Sequence, residues 1–319
     1  MVSVREQQYL IIGGTTKAAT TSLFNYLGAH PKICSATRKE TRFFIDHDYL
    51  VSSPGINWTH GLEKYNTFFQ NQLDSEYVRL EASPDYLYSL GTPQRIKATL
   101  ANTKVVFILR EPISRLVSWY RYAKQRAFIP KEMTFEEYVE KQLEPDNSKL
   151  EVQDSENSSE FIPQIYFFKM LEQGCYSNYL QPYFETFGRD NIYIGFYEDL
   201  CSSPRSVVKN VCDFAGIDST FYDEYKFEIF NQTKTMKNPK LHGAYERFRT
   251  KIRQYTYNLP IHSFLRQIRL WFDTLYYRLN TASTRETVEI SEAIQKKLDE
   301  YYDREKIILA DLLARPIPW

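Results

Sequence analysis

The chain has 319 residues, 43% of them apolar, which is enough for a sizeable core and sits at the upper end for one α/β domain. Its 40 basic and 40 acidic side chains cancel, so net charge gives no pull toward nucleic acid. The four cysteines (Cys34, Cys175, Cys201, Cys212) contain no Cys-x-x-Cys pair, which argues for reduced thiols rather than a disulfide framework.

The N-terminal residues run almost directly into an apolar segment, with no signal peptide and no apolar run of membrane-spanning length, so a cytoplasmic chain is expected. Tyr9 to Ile12 reads as a buried strand. Gly13 and Gly14 are expected to end it in a tight turn. Next come Thr15, Thr16, Lys17, Ala18, Ala19, Thr20, Thr21 and Ser22, small or hydroxylated except for one lysine. Leu23, Tyr26, Leu27 and His30 then recur at helical spacing. A strand feeding a turn that opens a helix points free N–H groups at one spot, and that spot suits a phosphate-like anion. The nucleotide-triphosphate loop G-x-x-x-x-G-K-[ST] does not fit. Counted from Gly13, the lysine is the fifth residue, and no glycine precedes it.

Pro31 to Cys34 reads as a short strand, followed by Lys39-Glu40-Thr41-Arg42-Phe43-Phe44. Lys39 and Arg42 would hold the pKa of Glu40 low. Leu62, Tyr65, Phe68 and Phe69 follow a helical pattern. Tyr77 to Leu80 reads as the next strand, running into Glu81, Ser83 and Tyr86, where strand ends in open α/β sheets meet ligands. Gly91 to Asn102 reads as a helix. Lys104 to Leu109 suits a parallel strand buried on both faces, and it delivers Arg110 to the sheet edge. Pro112 then starts a helix with Ile113, Leu116, Val117 and Tyr120 inward and Ser118 off that stripe.

Residues 132–160 hold ten acidic side chains against Lys141 and Lys149, and the part from 144 to 160 reads as a solvated loop, with a lid as the alternative. Phe161 to Phe187 is aromatic and helical; Asn191 to Phe196 is a strand, followed by Tyr197. Pro204 to Ala215 is a helix ending at Gly216. Between 234 and 285, eleven Lys or Arg stand against Glu246 and Asp273. That stretch reads as a helical subdomain, a groove for an anionic glycan, or an interfacial helix on anionic lipid. A last helix spans 286–313, and no metal-ligand spacing stands out.

Five of these segments carry a resemblance to sulfotransferases that use 3′-phosphoadenosine 5′-phosphosulfate (PAPS). Lys17-Ala18-Ala19-Thr20-Thr21-Ser22-Leu23 resembles the 5′-phosphosulfate loop K-x-G-T-[ST]-x-L, with Ala19 for the usual glycine. That departure reads as mild, since a helix N-terminus needs no positive φ. Leu109-Arg110-Glu111-Pro112, Arg115, Ser118 and Tyr120 resemble the 3′-phosphate motif. Lys39 to Phe44 is similar to the K-E-P-H-F-F segment of the heparan-type branch, with Arg42 in the histidine place. Tyr197 opens a Y-E-D-L segment, and Lys237-Asn238 stand where the family has a late Arg-Ser pair.

The resemblance implies a P-loop-like three-layer α/β sandwich with a mainly parallel sheet. Residues 1–241 would form the PAPS-binding core and 242–319 a helical region packed on it. It implies sulfuryl transfer from PAPS, with PAP as product and no metal, to a glycan, lipid or small-molecule acceptor. Lys17 and Glu40 would be catalytic. Lys17 to Ser22, Arg110, Ser118, Tyr197, Lys237 and Asn238 would hold the nucleotide, and Lys39, Arg42, Glu81, Ser83 and Tyr86 the acceptor. Peripheral membrane contact through 242–285 stays open, as do a P-loop kinase and a non-catalytic binder of PAP or anionic glycan.

Overall fold

The computed structural model of the chain describes residues 7–49, 51, 55–69, 77–125, 128–144, 164–228, 245, 276 and 288–319. They fall into two compact units. The first comprises Met1–Leu116, Glu172–Asn231 and Lys297–Trp319, and the second Val117–Leu171 and Gln232–Lys296. The chain returns to the first unit at Lys297.

The first unit is built on five parallel strands: β1 (Gln8–Gly14), β2 (Ile33–Ser35), β3 (Val78–Ala82), β4 (Asn102–Leu109) and β5 (Ile192–Phe196). They lie in the order β2-β3-β1-β4-β5, so β1 is central. Alternate side chains of β1 and β4 enter opposite cores, the period-two consequence of a pleated strand. Tyr9, Ile11, Val105, Phe107 and Leu109 join one cluster; Leu10, Ile12, Val106 and Ile108 join the other. Burial on both faces is why these strands read as unbroken apolar runs.

Helix α1 (Thr20–Gly28) contributes Leu23, Phe24 and Leu27 to the second cluster. The other face meets α2 (Gly61–Asn66) through Tyr65, and α3 (Thr92–Thr99) through Ile96. The helix α4 (Pro112–Gln125) begins in the first unit and passes into the second. Within it Ile113, Leu116 and Tyr120 are buried as expected, but Val117 is only half-buried, and Trp119 and Arg115 take inward places.

Helix α5 (Phe135–Leu143), in the second unit, forms inside the acidic stretch, just before the 144–160 part expected to be a solvated loop. Thr134 Oγ1 accepts from Glu137 N at 3.1 Å and Glu137 Oε2 accepts from Thr134 N at 2.7 Å, a reciprocal cap. Phe135, Tyr138 and Val139 are buried, and the Tyr138 hydroxyl donates to Phe167 O at 2.6 Å, at the end of the short α6 (Gln164–Phe167). Glu137 and Glu140 stay exposed, so the acids there are the solvated face of a helix. Nearly all of 144–160 and of the basic stretch 242–285, and the pair Lys237-Asn238, lie outside the described residues.

The first unit is completed by α7 (Tyr176–Phe187), α8 (Tyr197–Ser202), α9 (Pro204–Ala215) and the end of α10 (Glu292–Leu313). α9 stops at Gly216, whose φ of 71° is the left-handed cap the sequence signalled. α10 starts at Glu292 rather than 286. Its Glu305 carboxylate accepts from Ser177 N at 2.8 Å and from Ser177 Oγ at 2.5 Å, capping α7 from another helix. Beyond α10, Arg315 donates to Ile194 O at 2.6 Å and Trp319 meets Phe196 edge-on at 5.0 Å, closing the β5 side of the sheet.

β1 runs on past Ile12 through Gly13 and ends at Gly14. A Cβ at Gly13 would stand 2.7 Å from Phe107 Cε1, and that ring is itself wedged against Tyr183 at 4.8 Å. Gly13→Ala is therefore expected to destabilise the protein by about 1–3 kcal/mol in urea unfolding, through overpacking.

Candidate active site

The loops that carry the motifs leave the carboxyl ends of neighbouring strands. After β1 the backbone turns at Thr15, whose N–H donates to Ile108 O at 2.9 Å and whose hydroxyl pairs with Tyr88 OH. Lys17 and Ala19 then take left-handed conformations, φ 66° and 56°. The expectation that a helix N-terminus needs no positive φ at Ala19 is thus corrected, since the position does use it. Left-handed residues around Ala18 curl the chain in the manner that gathers N–H groups into a concave anion nest. Ala18 itself is fully buried. α1 starts at Thr20 with no side-chain cap and no acid in its first turn, leaving its N–H groups and the positive end of its dipole to a ligand. Thr20 and Ser22 are buried and Thr21 is half-buried.

Two arginines clamp this loop by its carbonyls. Arg110, just beyond β4, donates from Nη1 to Lys17 O at 3.0 Å, and its guanidinium lies 4.3 Å from the Tyr197 ring centroid. Its own carbonyl accepts from Tyr176 OH at 2.7 Å, and its Nε is buried with no hydrogen-bond partner. Arg115 is fully buried and donates to Thr16 O and Thr16 Oγ1, both at 3.2 Å, and to Gln173 Oε1 at 3.1 Å. The sequence reading took Arg115 only as part of a motif; the inward stripe of α4, on which it stands, was the signal available. Glu111 caps α4 through Ile113 N at 2.9 Å and Ser114 N at 2.6 Å. Ser118 sits half-buried further along α4, and Tyr197 is half-buried at the start of α8.

The second group follows β2. Glu40 N donates to Ala82 O at 2.7 Å, fastening this turn to the end of β3. Glu40 and Arg42 are both left-handed, φ 63° and 53°. Lys39 Nζ lies 2.7 Å from Glu40 Oε1, and Arg42 Nη2 lies 3.3 Å from Oε2. Burial pushes the Glu40 pKa up, but Lys39, Arg42 and Arg38 outweigh it and hold the carboxyl below its ordinary value. Arg42 also faces Asp85 at 3.7 Å.

Glu81, Ser83 and Tyr86 depart from the expectation that they face the acceptor. All three are fully buried beneath the 40–44 turn. Glu81 Oε1 accepts from Ser83 Oγ and Tyr86 OH, both at 2.8 Å, and from Thr41 Oγ1; Oε2 accepts from Tyr65 OH at 2.7 Å. Burial raises the Glu81 pKa, against the lowering effect of these four hydroxyls. An alternating run of small and aromatic residues in the sequence gives no sign of such a cluster.

Because Ala19 carries a left-handed strain of about 1–2 kcal/mol and a glycine there adds only about 0.4–1 kcal/mol of unfolded-state entropy, Ala19→Gly should hold or raise stability by up to ~1 kcal/mol. The same change at an unstrained helical position would cost about 1 kcal/mol, so chemical denaturation separates the two cases.

A family model described as "Sulfotransferase domain" matches residues 7–258. The membrane-associated sulfotransferase kil1 of Dictyostelium discoideum is 25% identical over 280 residues, covering 68% of this chain and 57% of that protein. The mouse bifunctional heparan sulfate N-deacetylase/N-sulfotransferase 1 is 29% identical over 236 residues, 70% of this chain and 24% of its own length. Mouse heparan sulfate glucosamine 3-O-sulfotransferase 3A1 is 26% identical over 227 residues, covering 70% and 49%. This chain thus spans between a quarter and rather more than half of the length of these relatives. The crystal structure of a sulfotransferase from Alicyclobacillus acidocaldarius has the same fold, with TM-score 0.62 at 18% identity over 97% of this chain and 96% of that one. With the match running from the start of β1 through α9 and beyond, the chain belongs to the sulfotransferase domain family.

Proposed function

We propose that this chain transfers a sulfuryl group from PAPS to a hydroxyl, or an amine, of a carbohydrate or glycolipid acceptor. The observation that carries this reading is the α1 N-terminus. It is uncapped, curled by Lys17 and Ala19, and flanked by an arginine whose buried Nε has no partner. Such a site presents N–H groups, a lysine and a guanidinium to a doubly phosphorylated nucleotide. The residues therefore fit the donor. PAPS, when bound, supplies the sulfuryl group, and the products are PAP and the sulfated acceptor.

Each residue has a distinct task in this reading. The N–H groups of Ala19 to Ser22 cradle the 5′-phosphate. Lys17 neutralises charge that develops on that phosphate as the donor S–O bond breaks. Arg110 and Ser118 hold the 3′-phosphate, and the Tyr197 ring keeps the Arg110 fork in plane. Glu40 accepts the proton of the acceptor as its O–S bond forms. Lys39 and Arg42 keep Glu40 ionised and oriented, and lend the acceptor side a positive rim. The names of the heparan-type relatives support a glycan acceptor. No helix among the described residues is long and apolar enough to cross a membrane. Peripheral contact of the basic 242–285 stretch with anionic lipid has support in its charge and in the name of the kil1 relative.

Calorimetric titration with PAP, against ATP with Mg²⁺ and against 5′-AMP, tests the donor site. PAP should bind best, and Arg110→Ala should weaken it by about 10–100-fold, the loss of a charge-assisted pair of hydrogen bonds. A preference for ATP with Mg²⁺ would overturn the reading in favour of a kinase. Lys17→Ala should lower both PAP affinity and turnover, whereas Glu40→Gln should abolish transfer and leave PAP affinity near normal.

The pH profile has a definite sign. A base must be ionised, and Lys39, Arg42 and Arg38 hold the Glu40 carboxyl below its ordinary value, so transfer should persist into more acidic solution than a free glutamate would allow and fall only below that. Lys39→Met removes the nearest cation, and should move that acid limb upward; an unmoved limb would mean that another group sets it.

A further inference from the structure

The buried carboxylate of Glu81 has no exposed surface, so it cannot touch donor or acceptor. Its four partners are nonetheless not a random set. Three of the hydroxyls bonded to it each accept a backbone N–H from the turn above. Ser83 Oγ accepts from Arg42 N at 3.0 Å, Thr41 Oγ1 from Phe43 N at 3.2 Å, and Tyr86 OH from Phe44 N at 3.2 Å. Each hydroxyl has one proton, and Glu81 takes it. That leaves the hydroxyl lone pairs turned toward the turn, which fixes the direction of all three relays. The fourth hydroxyl, Tyr65 OH, ties the other oxygen to α2, whose Tyr65 ring packs on Phe43 and Phe44 at 5.0 and 4.9 Å.

The segment so held departs from easy backbone geometry. Glu40 and Arg42 are non-glycine residues in the left-handed region, and such residues persist only where the surroundings over-determine them. We propose that Glu81 is a positioning residue for sulfuryl transfer, acting through Thr41, Ser83 and Tyr86 to hold three consecutive amides of the 42–44 segment and so to fix where Glu40 presents its carboxylate. This rests on the reading of Glu40 as the base.

Glu81→Gln tests it at nearly constant volume. The amide group keeps one acceptor oxygen and puts an NH₂ where the carboxylate accepted, so at least one hydroxyl must reverse. Hydrogen exchange should show the amides of Arg42, Phe43 and Phe44 opening about tenfold faster or more, with distant strands such as β4 unaffected. With radiolabelled PAPS and a desulfated heparan oligosaccharide as acceptor, kcat should fall about tenfold or more while the KM for PAPS stays within about twofold. Glu81→Asp, which keeps the charge, should recover part of kcat. Ser83→Ala is the milder companion variant. It frees the Arg42 amide, and should give the same pattern at about threefold if Glu81→Gln fails to fold.

Unchanged exchange at 42–44 in Glu81→Gln, or in Ser83→Ala in its place, would overturn the positioning role. Faster exchange with unchanged kcat would overturn its link to the reaction. Glu40→Gln distinguishes the two layers. Normal turnover in that variant removes Glu40 as the base, while the exchange data on Glu81 stand or fall by themselves.

Discussion

The constraint on which this site depends is backbone conformation at the carboxyl edge of the sheet. Among the described residues, five non-glycine positions have positive φ, and four of them are Lys17, Ala19, Glu40 and Arg42. Each left-handed residue costs roughly 1–2 kcal/mol, so none would survive in a loop free to relax. Both segments are therefore gripped. Arg110 and Arg115 take the carbonyls of Lys17 and Thr16, and the Glu81 network takes the amides of residues 42–44. The same curl that is costly to the backbone turns N–H groups outward at the first segment and a carboxylate at the second.

The sheet supplies the rigidity for that grip. β1 is central and parallel to both neighbours, and its loops share one edge with those of β3 and β4. Ser83 N donates to Ile12 O and Thr15 N to Ile108 O, so the loop after each strand is pinned to the next strand. The clamping arginines also stand on rigid supports: Arg110 on the end of β4, and Arg115 on the first turn of α4 beneath the carboxylate cap of Glu111. A displacement in the core under β1 or β4 would thus reach the site directly, because packed interiors transmit strain.

What the sequence disclosed follows from how local each feature is. The apolar runs of β1 and β4, the helix ending at Gly216 and the loop Lys17 to Ser22 are contiguous, so pattern alone exposes them. The left-handed state of Ala19 was not legible, because alanine carries no mark of φ; only the glycine usual at that place hinted at it. α5 was hidden by its charge, since its buried apolar side chains Phe135, Tyr138 and Val139 sit among acids such as Glu137 and Glu140. The Glu81 cluster was least legible of all. Its members come from β3, from α2, from the 83–86 turn and from Thr41, and nothing local announces a carboxylate with four hydroxyl donors. Arg115 escaped for a related reason, as an arginine on an inward stripe normally counts against burial.

Glu40 and Glu81 also show why geometry must precede basicity in proposing a proton acceptor. Glu81, its pKa raised by burial, would on affinity for protons alone be the better base. It is fully buried, and its oxygens already receive four hydroxyl protons, so an acceptor molecule has no path to them. Glu40 is the weaker base, held ionised by Lys39 and Arg42, yet it is the one partly open to solvent. A weak base suffices where the acceptor becomes acidic only as its bond to sulfur forms, so that the proton leaves late. On that argument the cations beside Glu40 do not compete with its proposed role: they favour an ionised carboxylate, ready for a proton that leaves late.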